Sequence, residues 1–172
     1  MYMRYIQNGL LEREKLVYAV RPHWIIFSHA VWMFIAALLI WQFAPLALHS
    51  DIFGRWTLRD LTSAILTVTS LYHFFSAYIY YETSEYGVTN KRVVMKIGLI
   101  YRKSLEIMLD KVEGVSVNQS IMGRIFDYGE ITIIGTGGTN DSFLYIPSPL
   151  EFRKKVQQQV DYFEEGLRPK GN

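Results

Sequence analysis

Two long stretches without charged residues constrain this chain more than any other feature. They cover residues 24–44 and 61–81, and each contains 21 residues without Asp, Glu, Lys or Arg. Because a helix rises about 1.5 Å per residue, each stretch would extend about 30 Å, the thickness of the hydrocarbon core of a bilayer. The sequence therefore predicts a transmembrane helical hairpin over residues 23–81, with spans at about 24–44 and 61–81.

The residues that flank these stretches predict their orientation. More than 20 residues, including Glu12 and Glu14, precede the first stretch, which is unlike a cleavable signal peptide. Residues 1–22 contain four Lys or Arg residues, the connection 45–60 contains two, and three more follow within 15 residues of the second stretch. Basic residues favour the cytoplasmic side of a membrane. We therefore expect a multi-pass membrane protein with both termini in the cytoplasm.

Small and polar residues recur at helical spacing within both predicted spans. Ala30 and Ala37 share a face of the first span, and Ser63, Thr67 and Ser70 share a face of the second. Small side chains let two helices approach closely, and hydroxyl groups can donate hydrogen bonds across the contact. This pattern predicts that the two helices pack directly against each other.

One histidine lies within each predicted span, His29 in the first and His73 in the second. In an antiparallel hairpin both would lie at a similar depth in the cytoplasmic half, where ionisable residues often mark functional sites. A zinc site needs three or four ligands, and no carboxylate or thiol lies near either histidine in the spans. The favoured interpretation is an intramembrane polar pair joined by a hydrogen bond, with no metal and no cofactor; a metal or haem bridge is the alternative.

Residues 82–166 have a different pattern, in which short apolar or alternating segments are separated by turn residues. Six or seven such segments predict a small antiparallel β-barrel or sandwich. Ser148 and Glu151 form a capping-box pattern around Pro149, which predicts the start of a C-terminal helix. Residues 167–172 form a tail. The apolar stripe expected to pack this helix against the barrel consists of Phe152, Val156, Val160 and Phe163.

Residues 1–22 are predicted to be a cytoplasmic N-terminal segment. Residues 14–20 allow two structures, a strand added to the barrel or an interfacial helix that continues into the first span. The beginning of the segment is more apolar than a free tail needs, so we expect it to dock on the rest of the chain. The apolar residues are Met1, Tyr2, Tyr5, Ile6, Leu10 and Leu11.

An ordered set of short motifs runs through nearly the whole chain. The set resembles bacterial membrane proteins that carry a pleckstrin-homology-like (PH-like) domain of the second bacterial type, the YdbS-like group in particular. This resemblance implies a location in the bacterial inner membrane and a bent β-barrel capped by a C-terminal helix. It implies no catalytic residue. The motifs occupy residues 14–24, 86–94, 109–120, 123–129, 135–138 and 146–153.

Composition excludes several classes of function. The net charge of +2 is too small to predict binding of nucleic acid. The predicted PH-like domain contains neither His nor Cys, and its acidic residues show no spacing that marks an acid–base pair, so we expect no enzyme.

Two functions remain open. The favoured one is a membrane-anchored interaction module or scaffold that binds a membrane or cytoplasmic protein partner or assembles into a homo-oligomer. The alternative is an anionic-lipid-binding or sensing module, in which basic side chains of the PH-like domain contact headgroups and each contributes about 1 kcal/mol near an anionic leaflet. The candidate headgroup residues are Lys91, Arg92, Lys96, Arg102 and Lys103.

Overall fold

The structure, a computed structural model, describes residues 4–43, 57–98, 103–136 and 138–167. These residues form two units: a helical unit of residues 24–79, and a second unit that combines the residues up to His23 with those from Tyr80 onward. The second unit is thus built from two stretches of chain. Where the sequence suggested a separate N-terminal segment at 1–22, the described part of that segment belongs to the same unit as the strands.

Helices and strands account for most of the described residues, and two 3₁₀ turns occur at Trp24–Phe27 and Leu109–Lys111. In chain order the elements are α1 (Arg4–Asn8), β1 (Leu16–Val20), α2 (Ser28–Phe43), α3 (Leu58–Thr83), β2 (Glu85–Thr89), β3 (Arg92–Ile97), β4 (Lys103–Met108), β5 (Val112–Asn118), α4 (Ile121–Ile125), β6 (Tyr128–Gly135), β7 (Thr139–Pro147) and α5 (Pro149–Leu167).

The helical unit consists of α2 and α3, which contact each other through small residues. Ala30 and Ala37 of α2 are buried, as are Ser63 and Ser70 of α3. The Ser70 hydroxyl donates a hydrogen bond to the Ala30 carbonyl oxygen across 2.8 Å, and the rings of Phe27 and Phe74 lie 5.4 Å apart. These pairings show that the two helices run antiparallel and, as predicted, contact each other directly near Ala30 and Ser70.

The two helices differ in composition. Among the described residues, Trp24–Phe43 is the one helical segment that is both long and apolar enough to cross a membrane by length and composition. Helix α3 is longer, but its many hydroxyl side chains lower its mean hydropathy. The structure therefore shows an antiparallel helix pair, one member of which meets the membrane criterion.

The second unit contains two antiparallel sheets. Their strand orders are β1-β2-β3-β4 and β5-β6-β7. β1 pairs with β2 in the register Tyr18 to Val88, so this part of the N-terminal segment is a strand rather than an interfacial helix. The structure confirms the predicted antiparallel sheets with a C-terminal helix.

The core of this unit lies between the sheets and α5. Tyr86, Phe143 and Phe152 are its largest fully buried side chains. Phe152 and Val156 of α5 are fully buried, and the next two members of the predicted stripe are partly buried against the same cluster. The stripe therefore packs as its spacing predicted.

The start of α5 differs in mechanism from the predicted capping box. Ser148 has a φ of 44°, and its hydroxyl donates to Asp127 Oδ2 across 2.5 Å. Its backbone N–H also donates to the Asp127 carbonyl oxygen. The helix begins at Pro149, as expected, but Ser148 ties it to the turn before β6.

Candidate functional site

The turn between β2 and β3, where the sequence predicted a headgroup site, is hydrogen-bonded to the N-terminal segment. The Lys91 ammonium donates to the Glu12 carbonyl oxygen across 2.8 Å. Asn90 Oδ1 accepts a hydrogen bond from the Lys15 N–H at 2.7 Å, and the Asn90 N–H donates to the Lys15 carbonyl oxygen. The chain's own N-terminal segment therefore contacts this turn through Lys91 and Asn90.

Arg92 lies beneath this turn and is only 8% exposed. Its Nε and Nη2 donate to the two carboxylate oxygens of Glu14 across 2.9 and 3.0 Å. Nη2 also donates to the Gly9 carbonyl oxygen at 2.6 Å, and Nη1 donates to Glu106. This two-point geometry is the strongest form of a charge-assisted pair. The headgroup prediction does not fit Arg92, because its donors are already bound within the fold.

Glu14 is the buried partner in this pair, and its side chain has no exposed surface. Burial raises the pKa of a carboxyl group. Hydrogen bonds from the Leu11 N–H and from the Thr89 and Arg92 side chains, together with the Arg92 charge, outweigh that effect and leave the pKa of Glu14 below its ordinary value of 4.5. The pair is therefore ionised at neutral pH and holds the N-terminal segment on the sheet.

Ile6 of α1 makes the apolar part of this docking. It is 2% exposed, and its N–H donates to Glu85 across 3.1 Å. A Cβ atom placed on Gly87 would lie 2.8 Å from Ile6 Cδ1, so a larger residue at position 87 would force the end of the Ile6 side chain to shift. The structure thus shows that the described part of the N-terminal segment docks through Ile6, as predicted, whereas Leu11 is exposed and Met1 and Tyr2 lie outside the described residues.

Of the other predicted headgroup residues, Lys96 and Lys103 lie at the opposite end of the β3–β4 pair from Arg92. Lys96 is half-buried in β3, where it makes an interaction of its own. Lys103 begins β4, and Arg102 lies outside the described residues. Because Arg102 lies outside the described residues, the headgroup site of five residues stays a prediction.

The two histidines of the helical unit lie side by side, as the antiparallel arrangement predicted. The rings of His29 and His73 meet edge to face with centroids 4.9 Å apart. His29 is exposed and His73 is half-buried. No group of three or more His, Asp or Glu residues that could hold a metal ion occurs among the described residues.

The chain leaves the second unit for the helical unit at two places, after His23 and before Tyr80. The His23 N–H donates to the Tyr145 carbonyl oxygen across 2.6 Å, and its ring stacks on Tyr128 at 5.4 Å. The Tyr80 hydroxyl lies 3.0 Å from that of Tyr86, which in turn donates to the Leu144 carbonyl oxygen. Both places therefore lie against β7, at what we call the exit end of the unit.

Burial controls the ionisation of the exit end. It lowers the pKa of His23 below the ordinary value of 6.5, against the opposing effect of Asp127, so His23 is neutral at pH 7. Burial also raises the pKa of Tyr86, and the neighbouring Tyr80 adds to this shift. Where the chain enters and leaves the helical unit, uncharged aromatic rings and backbone groups thus make contacts beside the ion pair of Arg21 with Glu82, whose Nη1 and Oε2 atoms lie 3.5 Å apart.

The short helix α4 carries an exposed apolar surface at the same end. Its exposed residues are Ile121 (79%), Ile125 (67%), Met122 (54%) and Phe126 (38%), which we call the α4 patch. The Ser120 hydroxyl accepts a hydrogen bond from the Gly123 N–H and so caps the helix. This surface was not predicted from the sequence, although four large apolar residues in a connection between two strands were a signal for it.

Two antiparallel sheets closed by a C-terminal helix define the second unit as a PH-like domain. Residues 17–160 match the bacterial PH domain family, and the chain belongs to this family. The match begins within β1 and ends within α5, so it spans both stretches of the PH-like unit. No curated protein and no solved structure matches the chain. Membership of this family suggests a module that binds proteins or lipids.

Proposed function

We propose that the chain is a membrane-anchored interaction module that presents its PH-like unit at the cytoplasmic face of the bacterial inner membrane. In this proposal α2 and α3 both cross the bilayer, and both termini lie in the cytoplasm. The PH-like unit binds a protein partner or a second copy of the chain and catalyses no reaction.

One observation carries the anchoring: the helical unit buries its small residues and exposes its large apolar ones. Exposing such a side chain to water forfeits about 1.5–3 kcal/mol of burial energy, whereas lipid chains remove that cost. A core helix of a soluble protein can be as apolar as Trp24–Phe43, but only 11% of that segment's most apolar window is buried. The most exposed large side chains are Trp32, Phe43, Ile65, Val68, Tyr72 and Phe75.

Several hydroxyl groups of α3 are compatible with a bilayer because they have partners inside the helix pair. Thr62, Thr67 and Thr69 each donate to the carbonyl oxygen four residues earlier, at 2.8–2.9 Å. Ser70 donates to Ala30 of the neighbouring helix. In hydrocarbon every polar group must find such an internal partner. The modest hydropathy of α3 therefore does not oppose a second span.

The β2–β3 turn favours a protein-binding role over headgroup binding. Lys91 and Arg92 donate to the N-terminal segment rather than project from the surface. Anionic-lipid binding through these residues would require that segment to leave. Family membership supports both kinds of partner, and the occupied turn weakens the second.

The anchoring can be tested by labelling single cysteines, because the natural chain contains none. Full-length Thr136→Cys, an exposed site in the PH-like unit, should react with an impermeant maleimide in inverted membrane vesicles and not in intact spheroplasts. The protein should also stay in the membrane after alkaline extraction. Release by alkali would refute the anchor, and labelling in spheroplasts would refute the cytoplasmic placement.

The partner can be tested by native mass spectrometry of the gently solubilised full-length protein. A stoichiometric second protein or a fixed homo-oligomer is expected. A monomer that retains only anionic phospholipid would overturn the protein-binding proposal in favour of lipid binding.

A further inference from the structure

We infer that the α4 patch, together with Leu144, inserts into the headgroup region of the leaflet that the helical unit enters. The exit end of the PH-like unit would then contact the bilayer surface directly. This inference rests on the proposed function, because it needs a bilayer next to His23 and Tyr80.

The exposed apolar residues of the PH-like unit are concentrated in one region. Among the described residues of the PH-like unit, eleven large apolar side chains are exposed, and seven of them lie on α4, at the end of β7 or at the start of α5. These seven are Ile121, Met122, Ile125, Phe126, Leu144, Tyr145 and Leu150. A contiguous exposed apolar surface on one side of a domain indicates a contact with a membrane or a protein.

Direct contacts join this surface to His23, where the chain leaves for the helical unit. The His23 ring stacks on Tyr128, and the Tyr128 carbonyl oxygen accepts a hydrogen bond from Gln119 Nε2 at 3.1 Å. A Cβ atom on Gly123 would lie 2.6 Å from the same oxygen, so α4 packs directly onto Tyr128. If the bilayer begins at Trp24, one residue after His23, the α4 patch lies at its surface.

The opposite end of the unit supplies the contrast. β5 and β6 pair from Asn118–Glu130 at the exit end to Val112–Gly135 at the other end. Seven residues of strand cover roughly 20 Å. Asp110 precedes Val112 and Thr136 follows Gly135, and both are exposed. Among the described residues, the end that would be distant from the bilayer therefore exposes Asp110 and Thr136 beside Met108, whereas the seven apolar residues named above lie at the end beside the chain exits.

The local structure of α4 also suits an interface with lipid. Its first and last turns are closed by hydrogen bonds from the Arg124 N–H to Ser120 and from the Phe126 N–H to Met122. Arg124 is exposed on the same helix and can contact lipid phosphates. Amphipathic elements at interfaces place their apolar face about 5–10 Å into the boundary between headgroups and acyl chains. Aromatic residues such as Phe126 and Tyr145 are typical of this zone.

The experiment uses the full-length chain with single cysteines labelled by an environment-sensitive fluorophore. Ile121→Cys and Ile125→Cys report on the patch, Thr136→Cys reports on the far end, and Ile65→Cys reports on the exposed face of α3. The labelled proteins are reconstituted in phosphatidylcholine–phosphatidylglycerol vesicles whose acyl chains carry bromine near the headgroup. We expect blue-shifted emission and strong quenching at positions 121, 125 and 65, with neither effect at position 136.

The outcomes separate this inference from the proposed function. Quenching at position 65 without quenching at 121 and 125 would overturn the insertion of α4 and leave the membrane anchor intact. Absence of quenching at position 65 would refute the membrane anchor and therefore also the insertion of α4. A blue shift at 121 and 125 without quenching would mean that protein, such as a second copy, covers the patch, which also overturns the inference. In the Ile125→Cys background, Ile121→Asp should reduce quenching at 125, because position 121 is 79% exposed and the change disturbs no core contact.

Discussion

The two units of this chain bury opposite kinds of side chain. The PH-like unit encloses Tyr86, Phe143 and Phe152, all 0% exposed. The helical unit encloses Ala30 and Ser70 and exposes side chains as large as Trp32 and Phe75, which are 68% and 67% exposed.

Under the proposed function, this difference reflects a different solvent around each unit. In water, burial of large apolar side chains drives folding. Between helices in lipid that driving force is absent, and close packing of small residues with hydrogen bonds across the contact takes its place. The comparison predicts that equal substitutions in the two units have unequal effects, and this can be measured in the full-length protein in detergent micelles.

The largest effect is expected from removing a buried ring of the PH-like unit. Phe143→Ala should lower the free energy of unfolding of that unit by about 3–5 kcal/mol, because it leaves a cavity in the core. Phe75→Ala on the exposed face of α3 should change stability by less than about 0.5 kcal/mol. Urea unfolding followed by near-UV circular dichroism of tyrosine, which the PH-like unit contains, tests both. A similar loss for Phe75→Ala would mean that protein rather than detergent or lipid covers α3.

The next largest effect concerns a polar group buried in the PH-like unit. Arg92→Ala leaves Glu14 buried without its charge partner, which destabilises by about 3 kcal/mol or releases the N-terminal segment. Limited trypsin digestion at the exposed Arg13 should become much faster.

Lys111→Ala is the matched control for Arg92→Ala. Its ion pair with Asp110 is exposed, so the change should be less than about 0.5 kcal/mol. The double variant Glu14→Met with Arg92→Met should recover much of the stability, because it removes both charges together. Unchanged digestion of Arg92→Ala would show that the pair does not hold the segment.

A smaller, graded effect is expected from acid. Because the folded pKa of Glu14 is below the ordinary value of 4.5, its ionisation stabilises docking fully above that value. The contribution is lost as the pH falls through the folded pKa. Hydrogen exchange at the amides of Ile6 and Leu11, corrected for intrinsic rates, should therefore speed up below pH 4.5. Glu14→Gln should remove most of this pH dependence, and an unchanged acid response in that variant would assign it to another carboxyl group.

Much of the PH-like fold could be predicted because its signals are local. The alternation in β5 and the stripe from Phe152 to Phe163 depend on residues that are close in sequence, and both were placed correctly. The partner of β1 could not be predicted, since Tyr18 and Val88 are separated by the whole helical unit. For the same reason the ion pair of Arg92 with Glu14 could not be predicted. Because Arg92 lies next to a turn, its charge suggested an exposed headgroup site instead.

The α4 patch shows a different limit. Apolar residues in a connection were visible in the sequence, but their meaning depends on what lies nearby in space. Only the contacts from His23 to Tyr128 and from Tyr128 to α4 show that the patch lies where the chain leaves for the helical unit. The Ser148–Glu151 pattern is the opposite case. It predicted the correct start of α5 but the wrong interaction, because the Ser148 hydroxyl donates to Asp127.

The smallest effect is expected from a hydrogen bond between the two helices of the helical unit. Ser70→Ala removes the hydrogen bond to the Ala30 carbonyl oxygen and should destabilise the helical unit by about 0.6 kcal/mol, because helices separated within a membrane find other partners for the same groups. All four tryptophans lie between residues 24 and 56, so tryptophan fluorescence during thermal unfolding reports on this unit. Ser76→Ala, on the exposed face of α3, is the matched control and should have no effect. A loss well above about 1.7 kcal/mol, the upper range for hydrogen bonds between membrane helices, would contradict the lipid solvent of this unit. Such a loss would indicate that Ser70 and Ala30 form part of a water-excluded protein core.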